Sequence, residues 1–210
     1  MKTMRLRQTS CLIALVAAAA AAPQVRAGIF VSDLSELAHI YASVDNNFSV
    51  AQSFVAGSEA TFDAVTLALN LNPPSAGLSV KIYGDSGGVP GASALTDTSA
   101  FGASSRFVPT TPLTLSAGLT YWVVASATAP VVEWGGTSST AQTGISGWTI
   151  GDDHRERGFG GVWSLTSDSL RMSVEATAVP EPRDVALWIG AGLLGFAGWR
   201  RSRPGRTIAS

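Results

Sequence analysis

The sequence predicts an all-β chain: an antiparallel β-sandwich of jelly-roll type, flanked by an N-terminal signal helix and a C-terminal hydrophobic helix. Three observations lead there. Several segments alternate apolar and polar residues with period two, which places every second side chain on one face of a sheet. Gly, Pro, Ser and Asp punctuate the gaps, as in "GDSGGVPGAS" and "NPPSAG". Between Gly28 and Pro182 no segment keeps a helical period beyond about three turns, and "VSDLSELAHIYAS" comes nearest.

The chain opens on "MKTMRLRQTSCLIALVAAAAAAPQVRAGIF". Lys2, Arg5 and Arg7 make a basic n-region, residues 11–22 an apolar h-region, and Val25-Arg26-Ala27 a small-residue cleavage site. Residues 1–27 therefore read as a signal peptide cut after Ala27 by signal peptidase. The apolar run is short for a membrane span. Cys11 is the only cysteine and lies within this leader, so the mature chain has no disulfide and relies on a packed core.

Residues 28–178 read as the sandwich. In "FDAVTLALNL", Val65, Leu67, Leu69 and Leu71 share one face. In "LSVKIYG", Leu78, Val80 and Ile82 do so, with Ser79, Lys81 and Tyr83 opposite. In "LRMSVEATA", Leu170, Met172, Val174 and Ala176 alternate with Arg171, Ser173, Glu175 and Thr177. These are half-buried strands. "GLTYWVVASA" is apolar throughout and suggests a central strand covered on both faces. Tyr121 and Trp122 then point to opposite faces, one ring anchoring the core and the other lying on the second face. "VAQSFVAG", "PLTL", "VVEWG" and "GVWSL" are shorter candidates.

Charge separates the middle from the ends. Between Gly28 and Pro182 five bases (Lys81, Arg106, Arg155, Arg157 and Arg171) face fourteen acids, a net of −9. Such a domain repels phosphate backbones, which argues against nucleic acid as a partner.

Candidate chemistry is sparse. "GDDHRERGFGG" holds Asp152, Asp153, His154 and Glu156, possible metal ligands or a base with its partner. Adjacent residues rarely converge on one ion and EF-hand spacing is absent, so the cluster reads as a solvated loop in which Arg155 and Arg157 offset the acids, with no metal and no cofactor. His39, in "LAHIYAS", reads as a packing or hydrogen-bonding histidine. There is no G-x-S-x-G elbow, and no catalytic residue is assigned. Trp134, Trp148 and Trp163 lie near Gly-rich stretches. They are read as the exposed rings that could contact a glycan, whereas large rings in a sandwich ordinarily fill the core.

The order of "AQSFVAG", "VTLAL", "VKIYGDSGGVPG", "LTLSAGLTYWVVASA" and "GVWSL…LRMSVEATA" resembles the choice-of-anchor domains of exported bacterial proteins. The pairing of "YGDSGGVPG" with "AGLTYWVV" is its most specific piece. The resemblance implies a β-sandwich attached to a surface-sorting signal.

Residues 179–210 carry "VPEP", a fifteen-residue apolar stretch at 185–199, and "RRSR". As a helix that stretch spans about 22 Å, against about 30 Å of hydrocarbon. The basic residues after it favour a cytoplasmic C-terminus. The tripartite order resembles the PEP-CTERM sorting signal, a motif that also bears the label "ice-binding protein C-terminal". The resemblance implies recognition by a membrane exosortase at Pro180, Glu181 and Pro182, with retention by the 185–199 helix and by Arg200, Arg201 and Arg203. It also implies transient anchoring in the inner membrane of a Gram-negative bacterium before release to the cell surface or beyond. The expected function is then a non-enzymatic structural or adhesive component of the surface or biofilm matrix. A carbohydrate-binding module acting on exopolysaccharide is the alternative, and a secreted hydrolase ranks third.

Overall fold

A computed structural model of the chain describes residues 27–70, 77–100, 105–128, 132–158 and 161–180. The signal segment before Ala27, the apolar stretch 185–199, Glu181, Pro182, Arg200, Arg201 and Arg203 lie outside the described residues. Residues 26–179 form one compact unit.

The described residues form strands and no helix. In chain order these are β1 (Ala27–Ser32), β2 (Ile40–Val44), β3 (Ser49–Val55), β4 (Ala60–Leu67), β5 (Leu69–Asn70), β6 (Leu78–Asp85), β7 (Pro90–Ala100) and β8 (Arg106–Pro109). They continue as β9 (Leu113–Leu115), β10 (Thr120–Ala127), β11 (Val132–Thr137), β12 (Thr143–Gly144), β13 (Thr149–Arg157), β14 (Ser164–Ser167), β15 (Ser169–Leu170) and β16 (Met172–Ala178). A large sheet runs in the order β12-β1-β16-β4-β8-β7-β6-β10-β3-β13-β14, with β9 also paired to β4. A small one runs β15-β11-β2, with β5 also on β11. The pairings are antiparallel.

The large sheet is continuous because β7 serves two neighbours. Its first part pairs with β6 through bulged register, as in Lys81 with Asp97, and its last residues pair with β8, as in Thr98 with Pro109. Bulges bend a strand and strengthen its twist. The two halves joined at β7 then share one core. Phe54, Ile82, Tyr121 and Val123 come from one half, and Phe62, Val65, Leu115 and Val174 from the other. The small sheet adds Val44, Trp134 and Leu170 to the same core.

Two of the alternating segments, those of β6 and β16, behave as their pattern requires, whereas "FDAVTLALNL" is not one strand: β4 ends at Leu67, Leu69 lies in β5 of the small sheet, and Leu71 is outside the described residues. Leu170, Met172, Val174 and Ala176 are all buried, while Glu175 and Thr177 are half-buried on the other side. β10 is a central strand, flanked by β3 and β6. Tyr121 faces the core and stacks on Phe54 at 5.6 Å between centroids, and Trp122 takes the opposite face.

Two readings change. "GDDHRER" is not a loop but most of β13, paired to β3 on one side and β14 on the other. A register shift between Ile150 and His154 interrupts it. Gln52 of β3 fills the irregularity: its Nε2 donates to the carbonyls of Gly151 (2.9 Å) and Asp153 (3.2 Å), and its Oε1 accepts from Leu170 N–H (2.7 Å). An inward-facing amide replaces the apolar residues that would have advertised a strand. Similarly, "PGAS", read as part of a turn, opens the long strand β7.

Candidate functional site

Antiparallel register lines up one transverse row on the outer face of the large sheet. From β7 to β14 it runs Asp97, Lys81, Val124, Ala51, Arg155 and Leu165. The neighbouring row places Tyr83 beside Trp122 and Trp122 beside Ser53. Ala51, Val124 and Trp122 form a small apolar cluster separate from the main core, with Tyr83 and Trp163 packed against it. Ala51 is small enough for rings to lie over it.

The loop after β6 is tied down onto this face. Asp85 Oδ1 accepts the indole N–H of Trp122 at 2.8 Å, and the same carboxylate accepts Gly88 N–H at 3.2 Å. The turn closes with Ser86 N–H donating to Val89 O at 2.9 Å. Gly87 and Gly88 have φ of 70° and 83°, a backbone region in which glycine carries no steric penalty. The carbonyl of Gly88 accepts from Arg155 Nε at 3.0 Å, and the Arg155 guanidinium lies 6.0 Å from the Trp122 ring centroid. Trp122, Asp85, Gly88 and Arg155 thus close a ring of contacts that leaves Trp122 only 3 % exposed. Two positions along β13, Arg157 is exposed and sits 4.6 Å over the Trp163 ring. Both cation–ring distances are within the range of favourable cation–π attraction.

The other predicted site residues lie elsewhere. Trp134 is fully buried, its Nε1 donating to Arg171 O at 2.9 Å. Trp148 is 4 % exposed, edge-on to Phe30 at 4.8 Å and stacked on Phe54 at 6.4 Å, with Nε1 donating to Ser58 Oγ. The expectation that these two rings are exposed is corrected: both are core residues. Trp163 is half-buried on the outer face. Ala27 opens β1 opposite Thr177, and Pro180 is exposed just beyond β16.

The two histidines, far apart in sequence, meet around Asp168. His154 is buried, and its Nδ1 donates to Asp168 O at 2.8 Å, while Nε2 lies 3.3 Å from Glu156 Oε1. His39 Nε2 lies 3.5 Å from Asp168 Oδ1, and His39 Nδ1 accepts from Ser138 N–H. Asp168 has a φ of 75°. Among the described residues no group of three or more His, Cys, Asp or Glu is placed to hold a metal ion.

Asp33 is a buried carboxyl that sequence reading passed over. Burial pushes it up to about 6, although Met172 N–H, the Ser169 hydroxyl, its own backbone N–H and Arg171 pull the other way. Glu175 is held below the usual carboxylate range by its paired hydrogen bonds from Arg106, at 2.9 and 2.7 Å.

No protein-family model and no curated protein matches the chain.

Proposed function

We propose that the chain is an exported bacterial surface or extracellular-matrix protein: a choice-of-anchor-like domain, jelly-roll in type, with a non-enzymatic structural or adhesive role. Its leader is removed by signal peptidase after Ala27. Its PEP-CTERM-like tail is recognised by an exosortase at Pro180, Glu181 and Pro182, after transient retention by the 185–199 helix and by Arg200, Arg201 and Arg203.

One observation carries this reading. The two points where signals join the domain are neighbours, since Ala27 pairs with Thr177 across β1 and β16. The last backbone bond of the sheet, Val179 N–H to Glu59 O at 3.3 Å, comes one residue before exposed Pro180. The sheet's own hydrogen bonds therefore end before the tripeptide begins. Mass spectrometry of the mature C-terminus tests the reading. A terminus near Glu181 or Pro182 supports sorting and release, and an intact Ser210 on a protein found only in the cytoplasm by immunogold labelling rejects it.

A second reading, a carbohydrate-binding module, is favoured by the aromatic outer face. Of the three tryptophans considered from sequence, Trp163 alone stays a surface candidate, joined now by Tyr83 beside Trp122.

A further inference from the structure

We propose that Arg155 and Arg157, on the outer face of the large sheet, bind a carboxylate-bearing polysaccharide. The inference deepens the carbohydrate-binding reading above and rests on it.

The domain's cations are not equivalent. Arg106 is committed to Glu175 through two hydrogen bonds, and Arg171 reaches inward to the carbonyl of Leu34. Lys81 pairs with Asp97 at 3.0 Å. Arg155 and Arg157 form no ion pair with any carboxylate among the described residues, although the domain carries thirteen acids. Two unpaired guanidiniums in an acidic domain are complementary to an anion supplied from outside.

Their placement suits a repeating ligand. Residues two apart in a strand are about 7 Å apart on one face. Each guanidinium is seated on an indole, Arg155 on Trp122 and Arg157 on Trp163. Arg155 is further held through Nε by Gly88 O, which fixes the plane of its guanidinium beside the loop. A guanidinium fixed in this way loses less freedom on binding and presents a planar fork that matches a carboxylate. Half-buried Tyr83 and Trp163 add ring surface for the C–H faces of sugars.

The density of charge selects the ligand class. Duplex nucleic acid carries one negative charge per about 1.7 Å, and the acidic domain opposes such a polymer. An acidic polysaccharide spreads its carboxylates along the chain, one per sugar or fewer, so two guanidiniums can neutralise local charge while the rest of the domain remains apart.

The test is affinity electrophoresis of the purified protein through gels containing polygalacturonate, neutral dextran or dextran sulfate, with duplex DNA as a further competitor. Retardation by polygalacturonate in excess of the other three is expected, declining with salt. Arg157→Gln, which leaves the Trp122–Asp85–Gly88 ring intact, is expected to weaken binding about tenfold. Arg155→Lys/Arg157→Lys keeps both charges but loses both forks, and should lose the preference for carboxylate over sulfate. Unfolding curves confirm that each variant is folded. Equal retardation by dextran overturns carboxylate recognition and leaves the carbohydrate-binding reading standing. Retardation by neither polysaccharide overturns both. Equal binding of dextran sulfate or DNA, or unchanged binding by Arg157→Gln, also overturns the inference.

Discussion

Asp85 and Trp122 join the loop after β6 to the middle of the large sheet through one 2.8 Å hydrogen bond between a carboxylate and an indole N–H. Removing the acceptor leaves the Trp122 N–H and Gly88 N–H without their partner in a region where Trp122 is almost fully covered. Asp85→Ala should therefore destabilise the domain by about 2 kcal/mol. Asp85→Asn, which retains an acceptor oxygen, should cost less. Urea unfolding followed by tryptophan fluorescence measures both, and equal midpoints for wild type and Asp85→Ala would show that the loop is merely draped over the sheet.

Gln52 has a larger predicted effect because its amide satisfies three backbone groups around the β13 irregularity. Gln52→Leu has similar bulk but leaves Gly151 O, Asp153 O and Leu170 N–H unanswered. A loss of about 2–4 kcal/mol is expected. Hydrogen exchange should rise first at Leu170, the one donor among the three.

The tryptophans separate by role. Trp134→Ala should cost about 3–5 kcal/mol, because it empties a fully buried site and removes one of the two donors to the carbonyl of Arg171, the other being Ala68 N–H. Trp163→Ala should change the unfolding midpoint far less, since the ring is half-buried on a satellite cluster. The pair of variants in one denaturant series decides between core and surface assignments.

Asp33 predicts a pH dependence. Its carboxyl titrates at about 6 in the folded chain against an ordinary 3.8, so the folded state keeps a proton that the unfolded chain releases. The protonated form's contribution is complete below about pH 4 and is lost as pH rises to about 6, amounting to roughly 3 kcal/mol. Asp33→Asn removes this term while keeping an acceptor for Met172 N–H, which Asp33 Oδ1 now contacts at 2.6 Å. The stability difference between variant and wild type should therefore grow in the variant's favour from pH 4 to pH 7. Other carboxylates such as Glu175 act in the opposite sense, and taking the difference cancels them.

The legible strands were those whose buried face is apolar without interruption: β4, β6, β10 and β16. The segment forming β13 carries no strand pattern because its inward positions include His154 and its irregularity is filled by Gln52 from another strand. β7 carries none because Pro90, Gly91 and several small residues open it. Glycine beside Trp134 suggested exposure, yet Gly136 is small for the opposite reason: a Cβ there would lie 2.7 Å from Ile40 Cγ1. The candidate site was half visible. "YGDSGGVPG" and "AGLTYWVV" do meet, through Asp85 and Trp122. Arg155 completes the arrangement from a segment whose sequence advertised only charge.

The position of β16 has a mechanical consequence. The strand that leads to the tail is not at a sheet edge but between β1 and β4. A load applied through the tail along the strand has to shear two ladders of hydrogen bonds together, whereas an edge strand would peel away rung by rung. Traction on the C-terminal end of β16 would enter the interior of the largest sheet and reach the core before it could strip the fold.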